Sequence, residues 1–261
     1  MLLGWYCQTN DIFALCGPDC SAHKTINTAS PSEDVNMSKK VIEVSQLVKE
    51  YDGRPAILDG VSLSIGAGEF VTVYGKSGSG KTTLLNILGG LDKPTSGDVV
   101  IDGESIIGFT EDELSRMRLA KVGFVFQDFN LLMDMTVRDN VALPLKFSGN
   151  HNLGKVDELL TKFDIAPISG DTVSRISGGE AQRVAIARAL INEPKIILAD
   201  EPTGNLDEDN SRIVVETLQV VARDFGTTIV LATHDKELAD YASSIIYLAD
   251  GKAIFKTPIL S

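Results

Sequence analysis

The chain has 261 residues, 43% of them hydrophobic, and carries a formal net charge of −12. A chain of this length can bury a full core and is most simply one α/β domain, with room for a subdomain. Sequence-independent binding of nucleic acid needs a cationic face, and the acidic excess argues against one. No nucleic-acid partner is therefore expected. No apolar run approaches the roughly 18–20 residues that span a bilayer, so a role at a membrane requires a membrane partner.

Residues 1–36 differ in composition from the rest of the chain. They contain all three cysteines and the single tryptophan, and they show no amphipathic period. Strand-like alternation begins at Val41, so we interpret Met37 as the true start and residues 1–36 as a disordered or mis-annotated extension before a domain of residues 37–261. A metal site is the alternative, although a fourth spaced ligand is missing. Its three candidate ligands are Cys16, Cys20 and His23.

Two extended runs precede the first glycine-rich motif. One begins at Val41, and the second alternates Val61, Leu63 and Ile65 with serines, as in a half-buried strand. Tyr51 lies between them and is the one aromatic residue of this leading sheet. Its ring could stack on a purine base, and an ordinary surface tyrosine is the alternative.

The first glycine-rich motif lies between an apolar strand, residues 69–74, and a helical pattern, which is the context that a GxxxxGK[ST] loop requires. Its residues are Gly75, Lys76, Ser77, Gly78, Ser79, Gly80, Lys81, Thr82 and Thr83. The glycines let backbone N–H groups curl around an anion, and the helix N-terminus adds its positive dipole end. Lys81 reaches the outer phosphates, and the Thr82 hydroxyl is placed to ligate Mg²⁺. We therefore expect a nucleoside triphosphate here, rather than a glycine-rich turn that binds nothing.

The middle of the chain contains a short apolar strand, residues 123–126, that ends at Gln127. This amide is either a solvated strand end or a neutral ligand for Mg²⁺ or the attacking water. The apolar but loop-like residues 129–135 follow, and they form either core or a groove for a partner helix. Thr136 then caps a helix in which we expect Pro144 to cause a kink.

A second glycine motif opens the predicted helix 181–191. Its residues are Ser177, Gly178, Gly179 and Glu180. Two glycines directly before a helix again make an anion site from free N–H groups and the helix dipole. One chain has one triphosphate to bind, so this second anion site requires an explanation.

Two carboxylates follow the apolar strand 195–199, at the strand end where doubly wound sheets bind their ligands. Asp200 is suited to binding Mg²⁺, whereas Glu201 is suited to the role of a general base that polarises the attacking water. His234 follows the strand 227–232 at the same predicted edge. A structural histidine is the alternative, but the placement favours function.

Motif order and spacing from about Val41 to Phe255 resemble the ATP-binding-cassette (ABC) ATPases. The specific marker is the second glycine motif, residues 177–180, between a phosphate loop and the strand with two acids. The resemblance implies an α/β fold with a P-loop NTPase core: a mostly parallel sheet flanked by helices, plus an antiparallel β subdomain. It also implies a small helical subdomain, about residues 128–185, that carries the signature motif.

The resemblance also implies how ATP and Mg²⁺ are bound. Tyr51 becomes the adenine-stacking aromatic, and residues 75–83 become the Walker A loop. Mg²⁺ is expected at Thr82, Gln127 and Asp200, the last being the Walker B carboxylate.

The implied catalytic residues include the base, Glu201, and the switch histidine, His234, which contacts the γ-phosphate. Lys81 and the Q-loop residue Gln127 complete the catalytic set. Asp207, which caps the predicted helix after residue 207, falls in the D-loop.

In this family two cassettes pair head to tail, so residues 177–180 of one copy close over the triphosphate held by residues 75–83 of the other. The implied partners are therefore a second copy, or a homologous cassette, and an integral membrane permease. The implied location is the cytoplasmic face of the cell membrane, as a peripheral subunit. A non-transport cassette ATPase acting on ribosomes or nucleic acid is the alternative.

A narrower likeness points to the branch of lipoprotein-release, macrolide-export and cell-division cassettes. It rests on residues 117–118, 123–127, 129–132 and 204–207. Three features depart from the usual pattern: Ile176 stands where Leu is usual, Glu180 where Gln is common, and residues 173–175 lack the usual proline before the signature.

Overall fold

A computed structural model of the chain describes residues 39–53 and 55–256. The predicted extension, residues 1–36, with its candidate metal ligands, lies outside the described residues, as does the predicted start at Met37. Within the described residues, no helix combines the length and apolar character needed to cross a bilayer.

Strands form two sheets in the described part of the chain. The strands are β1 (Lys40–Lys49), β2 (Leu58–Gly66), β3 (Phe70–Tyr74), β4 (Ser96–Ile101), β5 (Glu104–Ser105), β6 (Val122–Phe126), β7 (Ile196–Asp200), β8 (Thr228–Thr233), β9 (Ser244–Ala249) and β10 (Lys252–Lys256). The smaller sheet has the order β2-β1-β4-β5 and is antiparallel throughout. The larger sheet has the order β10-β9-β3-β8-β7-β6, with β10 alone antiparallel to its neighbour.

The helices cover both faces of the larger sheet. They are α1 (Lys81–Leu88), α2 (Glu111–Lys121), α3 (Val137–Ser148), α4 (Leu153–Lys162), α5 (Gly178–Leu190), α6 (Glu208–Phe225) and α7 (Lys236–Ala239), with 3₁₀ turns at Ala166–Ile168 and Val173–Arg175. One apolar core joins the antiparallel sheet, α1 and α2 to one sheet face, and a second joins α3 to α6 to the other face. Since both faces are covered, β3, β7 and β8 are near-continuous apolar runs. The predicted fold class is confirmed.

The predicted start of the signature helix at Ala181 is wrong, because α5 begins at Gly178. Ser177 is its N-cap and Glu180 its third residue, and their side chains form a reciprocal capping box. The two glycines therefore lie in the first turn of the helix rather than before it. At its other end α5 continues to Leu190, beyond residue 185, where we expected the helical subdomain to end.

Parallel register aligns the carboxyl ends of four strands. Tyr74 pairs with Thr233, Asp200 with Ala232, and Phe126 with Asp200. The residues that directly follow β3, β6, β7 and β8 therefore meet at one edge of the sheet. That edge positions the side chains of the candidate site.

Candidate functional site

A cavity of about 500 Å³ lies at this sheet edge and is lined by nine of the predicted site residues. Its lining residues come from the phosphate loop and from the ends of β6, β7 and β8, with one addition from the residue before β2. They are Ile57, Ser77, Gly78, Gly80, Lys81, Thr82, Thr83, Gln127, Glu201 and His234. Ile57 was missed by sequence reasoning, because it belongs to no motif.

The phosphate loop adopts a backbone that depends on glycine at two points. Gly80, the N-cap of α1, has φ +99° and offers no side-chain cap. A Cβ on Gly75 would lie 2.4 Å from the Leu248 carbonyl oxygen of β9. The loop is thus packed against the sheet, and the first N–H groups of α1 are left for an anion.

Lys81 is held over the loop although it is only 5% exposed. Its ammonium donates to the carbonyl oxygens of Gly75, at 2.9 Å, and of Lys76, at 3.3 Å. It also lies 3.1 Å from Glu201 Oε1. A buried ammonium paired with one carboxylate is poised to exchange that partner for a phosphate.

Glu201 has φ +45°, in the left-handed region that few non-glycine residues adopt. Glu201 Oε2 lies 2.9 Å from His234 Nδ1, while Oε1 faces Lys81. Three predicted catalytic side chains therefore form one connected row.

Asp200 lies deeper than Glu201, at the end of β7. Burial raises the pKa of its carboxyl, the Glu201 charge raises it further, and the Thr82 hydroxyl and Lys81 oppose the rise. Its Oδ1 is buried with no hydrogen-bond partner among the described residues. An orphaned carboxylate oxygen beside a threonine hydroxyl is a donor set that fits a hard cation such as Mg²⁺.

Gln127 reaches the same cavity but is tied to the turn before α6. Its Nε2 donates to Asn205 Oδ1 at 3.3 Å, and Asn205 Nδ2 donates to the Gln127 carbonyl oxygen at 3.2 Å. A Cβ on Gly204 would lie 2.8 Å from Gln127 Cδ, so the two segments are in close contact.

Helix α5 holds the backbone on both sides of Gln127, a feature that sequence reasoning missed. The fully buried Gln182 donates to the Phe126 carbonyl oxygen at 3.4 Å. Arg188 donates to the carbonyl oxygens of Phe129, at 2.9 Å, and Asn130. Burial lowers the pKa of the Arg188 guanidinium. These partners are backbone groups more than 50 residues away, so no local pattern reveals them.

Tyr51 lies beside the phosphate loop and is 41% exposed. Its hydroxyl donates to Asp92 Oδ2 at 2.6 Å and interacts with the Thr83 hydroxyl. The bond to Asp92, with burial, raises the pKa of the Tyr51 hydroxyl. Lys49 Nζ lies 4.6 Å from the ring centroid.

The signature residues do not line the cavity that the phosphate loop forms in the described part of the chain. The Ser177 hydroxyl donates to Glu180 Oε2 at 2.7 Å, and this bond lowers the pKa of Glu180. Asp207, the N-cap of α6, accepts from Asn210 N at 2.8 Å. A Cβ on Gly179 would lie 2.4 Å from Asn210 Oδ1, so the signature packs against the first turn of α6.

Comparison with known proteins supplies the family. The profile of the family described as "ABC transporter" matches residues 58–204, more than half of the chain. Macrolide export ATP-binding/permease protein MacB of Syntrophobacter fumaroxidans is 45% identical over 219 residues, which cover 81% of this chain and 31% of MacB. Lipoprotein-releasing system ATP-binding protein LolD 2 of Chlorobaculum tepidum is 44% identical, with 81% of this chain and 91% of LolD 2 covered. The chain thus spans about a third of the MacB relative and nearly all of the LolD relative.

A solved structure is similar over the same region. It is a dimeric post-hydrolysis state of the ATP-binding cassette MJ0796 bound to ADP and Pi, with 39% identity and a TM-score of 0.76. The alignment covers 83% of this chain and 98% of that one. The macrolide-export and lipoprotein-release relatives agree with the predicted branch. With the family profile, they show that the chain belongs to the ABC transporter family and contains its ATPase domain.

Proposed function

We propose that this chain is the motor subunit of a transporter, and that MgATP binding and hydrolysis between two head-to-tail copies move a separate membrane permease. The observation that carries the proposal is the row formed by Lys81, Glu201 and His234 at the mouth of the phosphate loop. A non-transport role on ribosomes or nucleic acid is disfavoured by the net charge of −12 and by the export and lipoprotein-release relatives.

In the proposed cycle, ATP enters with its phosphates along residues 75–83 and its base on Tyr51. Lys81 then exchanges Glu201 for the outer phosphates. This exchange frees the Glu201 carboxylate to accept a proton from water, whose oxygen forms a bond to the γ-phosphorus as the bond to the β-phosphate oxygen breaks. His234 orients Glu201 and stabilises the charge that spreads over the γ-phosphoryl oxygens.

Thr82, Gln127 and Asp200 are the residues that would hold Mg²⁺. The ion, when bound, neutralises phosphate charge, which is its usual contribution to phosphoryl transfer. The unpartnered Asp200 Oδ1 and the adjacent Thr82 hydroxyl support this assignment.

The second glycine motif completes the site of another copy. Residues 177–180 begin α5 away from the chain's own phosphate loop, and a similar solved cassette is dimeric. In the proposed dimer these residues close over ATP bound to the partner, with Asp207 in the adjoining loop. Residues 128–185 form the helical subdomain that carries them.

A permease partner needs an apolar surface outside the nucleotide site. Residues 129–135 offer Leu132 and Met133, which are 47% and 53% exposed, while Leu131 is buried. Phe147, 72% exposed, lines another apolar cavity with Phe124 and with Arg188, which bonds the backbone of Phe129 and Asn130. Docking there would hold the subunit on the cytoplasmic face of the membrane.

A mixing experiment tests the shared site. Glu201→Gln leaves the signature intact but lacks the base, and Ser177→Arg keeps the base but blocks the signature. Each variant alone should show little MgATP hydrolysis. When the two variants are mixed before ATP is added, activity should return. In each mixed dimer, one of the two ATP sites combines Glu201 from one chain with Ser177 from the other.

Ser174→Arg is the matched control, since it adds the same charge at an exposed position three residues away. That variant should hydrolyse ATP alone. A mixture of Glu201→Gln and Ser177→Arg that forms mixed dimers yet stays inactive would overturn the head-to-tail site.

A further inference from the structure

We propose that Asp92 and Lys49 are positioning residues that fix the ring of Tyr51 for stacking on the nucleotide base. The inference rests on the proposed function, in which the phosphates occupy residues 75–83. It assigns roles to two residues that lie outside every motif identified in the sequence.

The first contact fixes the Tyr51 hydroxyl. It donates to Asp92 Oδ2 at 2.6 Å, a charge-assisted bond of the short and strong kind. Asp92 lies just after α1, and its backbone N–H donates to the Asn86 carbonyl oxygen at 3.2 Å. The tether therefore connects Tyr51 to the helix that begins at the phosphate loop.

The second contact fixes the plane of the ring. Lys49 Nζ lies 4.6 Å from the ring centroid, within the range of a cation–π contact. This ammonium is itself held, because it donates to Asp92 Oδ1 and to the Lys93 carbonyl oxygen, each at 2.7 Å. Lys49 is only 8% exposed, whereas Tyr51 is 41% exposed. One face of the ring is thus covered by a fixed cation, which leaves the opposite face for a base.

The same tether also places the ring relative to the phosphate loop. Asp92 follows α1, and α1 begins at Lys81 within that loop. The Tyr51 hydroxyl, held by Asp92, therefore has a fixed place beside the loop, where the Thr83 side chain opposes the rise of its pKa. A ring held in this way does not have to be ordered when the nucleotide binds, so more of the stacking free energy appears as affinity.

Nucleotide affinity has two parts, one that depends on the base and one that depends on the phosphates. The base-dependent part should change when Asp92, Lys49 or the Tyr51 hydroxyl is altered. The phosphate-dependent part should stay the same. The ratio of the dissociation constants for inorganic pyrophosphate and ADP measures the base-dependent part.

The test is calorimetric titration of the full chain with ADP and, separately, with pyrophosphate, both with Mg²⁺. Tyr51→Phe keeps the ring and leaves the Lys49–Asp92 ion pair in place, and Asp92→Asn removes the acceptor charge. Loss of a charge-assisted tether should weaken ADP binding roughly three- to tenfold in each variant, with pyrophosphate binding unchanged. The double variant should lose little more than Asp92→Asn alone, because the tether that Tyr51→Phe removes is one of the two contacts that Asp92→Asn weakens.

Asp102→Asn is the matched control. Asp102 accepts from Lys39 at 3.0 Å and also pairs with Lys121, but it is not a partner of Tyr51. The Asp102→Asn variant should keep the wild-type ratio of the dissociation constants for pyrophosphate and ADP. If Tyr51→Phe and Asp92→Asn also keep that ratio, or weaken pyrophosphate binding as much as ADP binding, the positioning role is wrong.

Tyr51→Ala distinguishes this failure from failure of the proposed function. If Tyr51→Ala loses the base-dependent part while Tyr51→Phe keeps it, the base stacks on Tyr51 but the tether does not position it. If Tyr51→Ala keeps the base-dependent part, the base does not stack on Tyr51, and both the stacking assignment and the tether are overturned.

Discussion

Replacing Glu201 by Gln should have opposite effects on nucleotide binding and on turnover. Glu201 Oε1 lies 3.1 Å from Lys81 Nζ, so in the free protein this carboxylate competes with phosphate for the ammonium. The amide of Gln keeps the size of the side chain but removes the competing charge. Binding should therefore become tighter while the base for water attack is lost.

The magnitude follows from the ion pair. Two unit charges about 4 Å apart attract by about 1 kcal/mol in water and about 4 kcal/mol at an effective dielectric constant near 20. Desolvation offsets most of the larger value, so we take about 1 kcal/mol as the competition that Gln removes. At about 1.4 kcal/mol per factor of ten, ADP should bind roughly fivefold tighter to Glu201→Gln. Loss of the general base should lower the turnover number by about 100-fold or more.

Calorimetry with ADP measures the first effect without hydrolysis, and phosphate release from MgATP measures the second. Glu216→Gln is the control, because Glu216 is exposed on α6 and the change in net charge is the same. It should leave both quantities unchanged. Weaker or unaltered ADP binding by Glu201→Gln would refute the competition for Lys81, and wild-type turnover would remove Glu201 from the role of base.

Two other substitutions test the neighbouring side chains. Lys81→Ala should abolish ATP binding detectable by calorimetry, because the phosphate loop loses the buried ammonium that faces the phosphates. Micromolar affinity in this variant would contradict that role. Asp200→Asn should abolish Mg²⁺-dependent hydrolysis and yet raise the melting temperature of the metal-free protein near neutral pH. The folded state raises the pKa of Asp200, so ionisation costs stability above that pKa, and the gain should shrink as the pH falls towards the ordinary carboxyl pKa. The exposed Asp134→Asn should show no such gain, and an equal gain there would refute the argument.

The parts of the site that depend on local order could be predicted from the sequence. A strand, a glycine turn and a helix at Gly75 to Lys81 determine their own geometry, and parallel strands bring Asp200 and His234 to one edge. The capping box of Ser177 and Glu180 is likewise an i, i+3 pattern.

Contacts between distant segments could not be predicted in this way. The bond from Tyr51 to Asp92 spans 41 residues, and that between Glu201 and His234 spans 33. The left-handed backbone of Glu201, which decides where its carboxylate points, is imposed by its surroundings rather than by residue type.

The grip of α5 on the segment around Gln127 has a mechanical consequence. Helix α5 has 13 residues, so it is a rod about 20 Å long. Ser177 caps one end, and Gln182 and Arg188 bond the backbone before and after Gln127. A tilt of this helix that moves Ser177 must also strain the hydrogen bonds made by Gln182 and Arg188. In a head-to-tail pair, Ser177 contacts the ATP of the partner while Gln127 lies in the chain's own ATP site. Each α5 would then connect the two ATP sites directly, so a conformational change at one site could reach the other without involving the permease.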